Sequence, residues 1–312
     1  MKHKIYYNGI GDQMKVISIT PRGYCKGVIN AINIAKKTKE QNPNKDIYIL
    51  GRLVHNQHVV DELFKMGITT LDDVNTTRLS LLDKIDTGIV IFSAHGVSAA
   101  VYAKAIAKGL QIIDATCIDV KQTQDIIKEF AINNYEILYI GKKGHPEAES
   151  VLDLSDRLHL ITSIQDIDRL NLKNDKIMVI NQTTMSIIDI IKLHEHIQLR
   201  YPNAEIYEEI CSATRVRQEA IINMEDTDLT YVVGDPHSNN TLNLAKLARL
   251  HSKEVRLIES VKQIDKKDLL QVESVAVTSG ASTPTALTNQ VISFLKNYTH
   301  QQAIPEVIDK II

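Results

Sequence analysis

The sequence has no marked excess of charge of either sign. Its 312 residues include 36 lysines and arginines against 38 aspartates and glutamates, a formal net charge of −2. Proteins that coat nucleic acid or bind an anionic membrane surface usually carry a basic excess, so neither partner is expected. No apolar run approaches the ~18 residues of a membrane-spanning helix. The first residues, MKHKIYYNGIGDQMK, have no apolar core and no small-residue cleavage site, so no signal peptide is expected.

Cysteine is scarce, and its spacing is informative. The three cysteines are Cys25, Cys117 and Cys211, and they form no CxxC pair. An odd count without an export signal argues against a disulfide framework and for a reducing, cytoplasmic location. The spacings are nearly equal, at 117 − 25 = 92 and 211 − 117 = 94 residues. Two gaps of this size predict an internal repeat.

The rest of the composition is that of a globular protein. Hydrophobic residues make up 44% and charged residues 24% of the chain, which excludes disorder, collagen and coiled coil as descriptions of the whole. Short apolar runs alternate with stretches of helical periodicity, which is typical of an α/β fold. No low-complexity tract or long linker interrupts them, so the repeated units are expected to pack tightly against one another.

Each predicted unit contains three strand-and-helix elements. The first is a strand that ends at a cysteine. The second is a strand that ends in glycine, with His55, His145 or Ser238 four residues later in YILGRLVHN, LYIGKKGHPE and YVVGDPHSNN. The third strand runs into hydroxyl and small residues in IVIFSAHGVS, IMVINQTTMS and VAVTSGASTP, which places His95, Thr183 and Ser282 at roughly equivalent positions. The sequence therefore predicts three α/β units, 15–110, 111–204 and 205–297, and a C-terminal tail, 298–312.

The repeat has a geometric consequence. In parallel α/β sheets, ligands bind outside the carboxyl ends of the strands, and all of these residues follow such ends. Three units around a pseudo-threefold axis would bring the three thiols into one central cavity. The helix N-termini behind the strands would offer free N–H groups that suit a phosphate.

Three converging thiolates favour a soft metal centre. Zinc with three cysteines and one histidine is possible, although structural zinc sites normally draw on ligands paired in sequence. An iron–sulfur cluster tolerates distant ligands, and with three cysteines one iron of a [4Fe–4S] cube lacks a protein thiolate. Such an iron can act as a Lewis acid while the cluster supplies electrons, which predicts a redox enzyme acting on an oxygenated substrate.

Hydrogen-bond donors surround the predicted centre. His55, His95, Ser238, Asn240 and Ser282 suit a small phosphate or diphosphate, and the sequence contains neither a Walker loop nor a GxGxxG loop.

The segment GHPEAES allows two interpretations. Glu147 follows a strand end and lies two residues after His145. A carboxylic acid beside the cluster could deliver protons as a general acid. The alternative is a solvated glutamate at a helix start, where the helix dipole favours both Glu147 and Glu149. Spacing alone does not decide between them.

Nine ordered motifs carry a resemblance to a known family. They are PRGYCKGV, VHN, FSAHGVS, DATC, GHPE, NQTT, SATRVRQEA, GDPHSNN and TSGASTP, and they extend from about Ile19 to Phe294. In these motifs the chain resembles the 4-hydroxy-3-methylbut-2-enyl diphosphate reductases, which catalyse the last step of the methylerythritol phosphate route to isoprenoids.

The resemblance implies an activity and a cofactor. It implies three α/β units around a [4Fe–4S] cluster held by Cys25, Cys117 and Cys211, with one iron open to the substrate. The expected reaction removes the C4 hydroxyl of an allylic diphosphate with two electrons and protons, giving isopentenyl and dimethylallyl diphosphate. Ferredoxin or flavodoxin is the expected electron donor.

The resemblance also implies roles for individual residues. Glu147 would pass protons, assisted by Thr183 and His145. The diphosphate would be bound by His55, His95, Ser238, Asn239, Asn240 and Ser282.

Two other functions remain possible at this point. A cluster with an open iron can also serve a hydro-lyase acting on a phosphorylated substrate, which needs a base and no external electrons. A non-enzymatic sensor with a structural metal is the alternative from a different class.

Overall fold

A computed structural model describes residues 14–73, 75–299, 301–308 and 311–312. The first part of the chain consists of strand β1 (Lys15–Ser18), helix α1 (Lys26–Gln41) and a four-stranded sheet with its connecting helices. The strands of this sheet are β2 (Ile47–Leu50), β3 (Thr69–Leu71), β4 (Ile89–Phe92) and β5 (Gln111–Asp114). The connections contain α2 (Gln57–Lys65), α3 (Arg78–Leu81), a 3₁₀ turn (Leu82–Lys84) and α4 (Ala99–Ala107).

The middle part repeats this arrangement. Helix α5 (Ile118–Ile132) leads into a second sheet, formed by β6 (Glu136–Ile140), β7 (Leu158–Ile161), β8 (Ile177–Asn181) and β9 (Glu205–Tyr207). The connecting helices are α6 (Pro146–Glu149), α7 (Ile164–Asp168) and α8 (Ile187–Arg200).

The last part supplies three further strands. They are β10 (Thr227–Val233), β11 (Ser252–Ile258) and β12 (Ser274–Ser279). The helices are α9 (Ser212–Ile222), α10 (Asn239–Ala248) and α11 (Thr285–Lys296), with 3₁₀ turns at Val261–Gln263 and Lys266–Leu269. No helix in the described ranges combines the length and apolarity that a bilayer crossing requires.

The three sheets have one topology, which confirms the predicted fold class. All strand pairs are parallel, and the spatial orders are β3-β2-β4-β5, β7-β6-β8-β9 and β11-β10-β12-β1. The third sheet matches the other two because β1, from the start of the chain, occupies the place that β5 and β9 hold in theirs. The pseudo-threefold arrangement is therefore closed by pairing the beginning of the chain with its last strand.

In each predicted unit, one strand belongs to a different sheet from the one that the predicted boundaries imply. The boundaries at 110/111 and 204/205 group each cysteine-bearing strand with the unit that follows it. Hydrogen bonding instead places β5 beside β4, β9 beside β8 and β1 beside β12. An alignment on the cysteines cannot show which neighbour a strand pairs with, because pairing depends on which edge lies nearby in space. The division of the chain into domains at those positions stays a prediction.

The central strands are covered on both faces by helices. Every residue of β4, β6 and β8 is buried, as expected for parallel sheets packed between helical layers. Glu136, at the start of β6, is the one charged residue among them, and His159 Nε2 lies 2.8 Å from its carboxylate. These rigid strands hold the loops at their carboxyl ends.

The C-terminal tail reaches two of the hydrophobic cores. Ile304 packs against the core of the third sheet, and Ile312 packs against the core between α1 and the first sheet. The tail thus packs against the hydrophobic cores of both the first and the third sheet.

A proline substitution in β1 tests the closure. Lys15 N donates to Glu273 O at 2.8 Å and Ile19 N donates to Val277 O at 2.9 Å, so alternation directs the Ile17 N–H toward β12 as well. Ile17→Pro should remove this bond, leave its acceptor on β12 unpaired and lower the free energy of unfolding by about 1–3 kcal/mol, measured by chemical denaturation. Val16→Pro is the control, because its N–H faces away from β12. Equal losses in the two variants would contradict the pairing.

Candidate metal centre and active site

The three cysteines occupy the same position in the three units. Each is the residue at the N-terminus of a helix, immediately before α1, α5 and α9. Each also makes the same hydrogen bond: Cys25 N donates to Ala281 O at 2.9 Å, Cys117 N to Ala94 O at 3.0 Å, and Cys211 N to Thr183 O at 3.1 Å. Since every acceptor follows the third strand of the preceding unit, each cysteine lies at a junction between two units.

Strand register corrects one predicted equivalence. The residue before each strand-ending glycine pairs across the sheet: Leu50 with Phe92, Ile140 with Asn181, and Val233 with Ser279. Three residues further along lie His95, Thr184 and Ser282. The rough equivalence predicted for Thr183, His95 and Ser282 is therefore offset by one residue, and Thr184 holds the matching position. Adjacent threonines in NQTT left the register undetermined in the sequence.

The three thiols line a single cavity of about 500 Å³. Gly27, in the first turn of α1, lies against two of them, since a Cβ there would be 2.6 Å from Cys117 Sγ and 3.9 Å from Cys25 Sγ. The absence of a side chain at Gly27 therefore gives the sulfurs room to approach one another. Burial raises the pKa of Cys117 to about 12 and also raises the pKa of Cys211, so these thiols are protonated at neutral pH unless a cation stabilises the thiolates.

This donor set fits an iron–sulfur cluster. Within the described residues, no group of three or more His, Cys, Asp or Glu side chains is arranged to hold one metal ion. A cluster takes one thiolate for each of several irons, so its ligands need to surround a space rather than converge on a point. Three thiols from three helices around one cavity meet that requirement.

Three histidines form a triangle in the cavity wall. The ring centroids of His55 and His95 are 4.5 Å apart, and His145 lies 5.5 Å from His55 and 5.7 Å from His95. Burial lowers the pKa of His55 to about 4 and of His145 to about 3, and it lowers the pKa of His95 well below its usual value. The rings are therefore neutral at pH 7, and an anion placed among them would favour their charged forms.

Two polar groups in this wall have no partner. His55 Nε2 and both amide atoms of Asn240 are buried without a hydrogen bond to any described residue. Buried polar atoms are normally paired, so these atoms are available to a ligand.

The other predicted diphosphate contacts are already engaged within the protein. Ser282 Oγ donates to His55 O at 2.9 Å, and Asn239 Nδ2 donates to Thr184 O at 2.9 Å. Ser238 is the N-cap residue immediately before α10, and its hydroxyl accepts a hydrogen bond from Thr241 N at 3.4 Å. All three line the same cavity as the cysteines.

Glu147 is buried at the cavity wall, with 1% of its surface exposed. Thr183 donates to both carboxylate oxygens, from its backbone N at 2.7 Å and from Oγ1 at 3.0 Å. Burial nevertheless raises the pKa of Glu147 to about 7, because desolvation outweighs these two hydrogen bonds. The interpretation of Glu147 as a solvated helix-start residue was therefore wrong, and Glu149 is the exposed one.

Sequence reasoning missed two arginines near the site. Arg78 donates from Nη1 to Gly96 O and from Nη2 to Ser93 Oγ, which holds the loop that carries His95. Arg217 lines the cavity with the cysteines. A signal for Arg217 was present in the repeat: the residue six positions after each cysteine is Ala31, Thr123 or Arg217, and the first two are small.

Comparison with known proteins places the chain in a family. A family model described as LytB protein matches residues 16–296. The chain belongs to the LytB family. This result confirms the resemblance carried by the motifs and, with it, the expectation of an iron–sulfur reductase.

Curated relatives of this LytB-family chain share one name. A protein of Symbiobacterium thermophilum named 4-hydroxy-3-methylbut-2-enyl diphosphate reductase is 48% identical over 290 residues, which cover 91% of this chain and 98% of that protein. A protein of the same name from Geobacillus sp. (strain WCH70) is 47% identical, with 91% of each chain covered.

Solved structures agree with the fold of this LytB-family chain. The E-1-hydroxy-2-methyl-but-2-enyl-4-diphosphate reductase from Plasmodium falciparum superposes with a TM-score of 0.85 at 29% identity, covering 94% of this chain and 95% of the other. A second structure, of (E)-4-hydroxy-3-methyl-but-2-enyl diphosphate reductase, has a TM-score of 0.64 at 24% identity and supports the fold alone.

The buried carboxyl of Glu147 predicts a pH-dependent stability. Its pKa is raised from 4.5 to about 7 on folding, so its contribution is largest below pH 4.5 and is lost as the pH rises through 7. Glu147→Gln does not titrate. In cluster-free protein, the stability of this variant relative to the parent should therefore increase by up to about 3 kcal/mol between pH 4.5 and pH 8, measured by urea denaturation. A difference that does not change with pH would contradict the buried position.

Proposed function

We propose that this LytB-family protein is a 4-hydroxy-3-methylbut-2-enyl diphosphate reductase. In this reaction two electrons and two protons enter, the C4–O bond of the substrate breaks, and water leaves with isopentenyl or dimethylallyl diphosphate as the product. The observation that carries the proposal is one cavity lined by three thiols, a histidine triangle and a buried carboxyl group.

The thiols would hold the cofactor. Cys25, Cys117 and Cys211 each supply one sulfur from a helix N-terminus, and we assign them to three irons of a [4Fe–4S] cluster. When bound, such a cluster supplies electrons singly, together with one Lewis-acidic iron that has no protein thiolate. Ferredoxin or flavodoxin is the proposed source of the electrons, in the cytoplasmic location that the cysteine count predicts.

The histidine triangle and its neighbours would bind the diphosphate. The free Nε2 of His55 and the free amide of Asn240 are the donors that a diphosphate oxygen would meet. A charged diphosphate among His55, His95 and His145 would stabilise their protonated forms and be stabilised in turn. Ser238, Asn239 and Ser282 would complete the pocket. We therefore place His145 with the diphosphate as well as beside Glu147, whose N–H donates to His145 Nδ1 at 3.2 Å.

Glu147 would deliver protons. With a pKa of about 7, its carboxyl group is largely protonated just below neutral pH, which a general acid requires. Thr183 fixes the orientation of the carboxyl group through both of its oxygens. In the unliganded protein the three histidines have pKa values well below that of Glu147, so the proton is held by Glu147 and not by a neighbouring ring.

An anaerobic assay tests this function against the two alternatives. Protein purified without oxygen should be brown, contain iron and sulfide, and consume the allylic diphosphate only when a reductant such as reduced viologen is present. Turnover without reductant would indicate the hydro-lyase instead. A colourless protein that binds zinc and turns over no substrate would indicate the sensor.

A matched pair of variants tests the proton donor. Glu147→Gln should retain the parent's iron and sulfide content but lose at least ~100-fold in kcat, since general acid catalysis contributes about 10²–10⁴-fold. The parent's kcat should fall as the pH rises above about 7, where Glu147 loses its proton.

Glu149→Gln is the control for this pair. It lies on the same short helix, α6, but is exposed, and it should keep the parent's kcat. Parent-like turnover by Glu147→Gln would remove Glu147 from the mechanism.

A further inference from the structure

Arg217 is a buried cation without a carboxylate partner. Its side chain is 4% exposed, and no ion pair to it occurs in the part of the chain that the structure describes. Nη1 donates to Ala213 O and Nη2 donates to Gly23 O, both at 2.7 Å, while Nε has no partner among the described residues. Since burying an unpaired charge is costly, such a guanidinium calls for a counter-charge.

Two of the cysteines are groups in this cavity that can become anionic. Arg217 lines the same cavity as Cys25 and Cys211. Burial lowers the pKa of Arg217, and the coulombic interactions that oppose this shift come from Cys25 and Cys211. The guanidinium therefore faces the place where two thiolates of the proposed cluster would be.

The fold does not require a charge at this position. Six residues after each cysteine, the first two units have Ala31 and Thr123, both with 0% exposure. The third unit has an arginine at the same helical position, on the cavity side of α9. A residue that departs from its repeat equivalents in this way indicates a role that is not shared by the three units.

A cluster with three thiolates has a charge that one positive group can compensate. A [4Fe–4S]²⁺ core with three thiolates carries −1, and one added electron makes it −2. The net charge around a cluster is one of the factors that set its reduction potential. A fixed cation in a buried site stabilises the reduced form more than the oxidised form, because interactions between charges are strong where water is excluded.

We propose that Arg217 is the internal counter-charge of the cluster and raises its reduction potential. This inference rests on the proposed function, since it requires the cluster to be present. Arg217 is a positioning residue in this account: it acts on the cluster's electron affinity and does not contact the substrate. Its bond to Gly23 O also joins α9 to the loop before Cys25.

Three variants separate the charge from the hydrogen bonds. Arg217→Gln removes the charge but keeps a donor. Arg217→Lys keeps the charge but not the paired guanidinium geometry. Arg215→Gln is the matched control, because Arg215 lies two residues earlier on α9, is paired with Glu208 and is more than one-third exposed. It removes the same net charge from the same helix at a solvated position.

The measurement is a redox titration of the bound cluster, followed by electron paramagnetic resonance in anaerobic protein matched for iron and sulfide. Arg217→Gln should make reduction at least tenfold less favourable, a potential about 59 mV more negative for one electron. Arg217→Lys and Arg215→Gln should stay within threefold of the parent.

The possible results have distinct meanings. Equal shifts in Arg217→Gln and Arg215→Gln, or a tenfold loss in Arg217→Lys, would overturn the proposal. If Arg217→Gln failed to hold the cluster, Arg217→Lys alone would decide: a parent-like potential supports the counter-charge and a tenfold loss overturns it. A parent protein without iron and sulfide would overturn the proposed function itself, whereas iron-loaded variants with unchanged potentials would overturn only the role of Arg217.

Discussion

The hydrogen bond from each cysteine N–H to the carbonyl after a neighbouring unit's third strand is the constraint on which the site depends. It occurs three times, with Ala281, Ala94 and Thr183 as acceptors. Each bond fixes the start of a cysteine-capped helix against the end of another unit's sheet. None of the cysteines is positioned by its own unit alone. The thiols therefore come together only when the arrangement closes, and that closure requires β1 to pair with β12.

Exclusion of water from the cavity shifts the protonation equilibria of the side chains that line it. Desolvation lowers the pKa values of the three histidines and raises those of Glu147, Cys117 and Cys211. Near neutral pH the histidines and these two thiols are uncharged and Glu147 is about half protonated, while Arg217 keeps its charge. A cavity of this kind is suited to receive charge from outside, as an anionic cluster and a diphosphate, because its uncharged groups can gain or lose a proton in response.

The pseudo-symmetry applies to the backbone and not to the identities of the side chains. Four residues after the strand-ending glycine, the units place His55, His145 and Ser238, and six residues after the cysteine they place Ala31, Thr123 and Arg217. The backbone repeats the same path three times, while the side chains at equivalent positions differ. Different parts of an asymmetric ligand can thus contact different groups, with histidines and amides binding one part and a carboxyl group contacting another.

The sequence by itself predicted the α/β class, the threefold repeat and most of the residues that line the central cavity, because strand periodicity, cysteine spacing and motif order can all be read along the chain. Only the tertiary structure decided which sheet each cysteine-bearing strand joins, since pairing depends on edges that are distant in sequence. It also decided that Thr184, and not Thr183, corresponds to His95, and that Glu147 is buried while Glu149 is exposed. The pKa of Glu147 follows from desolvation, which depends on everything packed around the carboxyl group and so cannot be read from spacing.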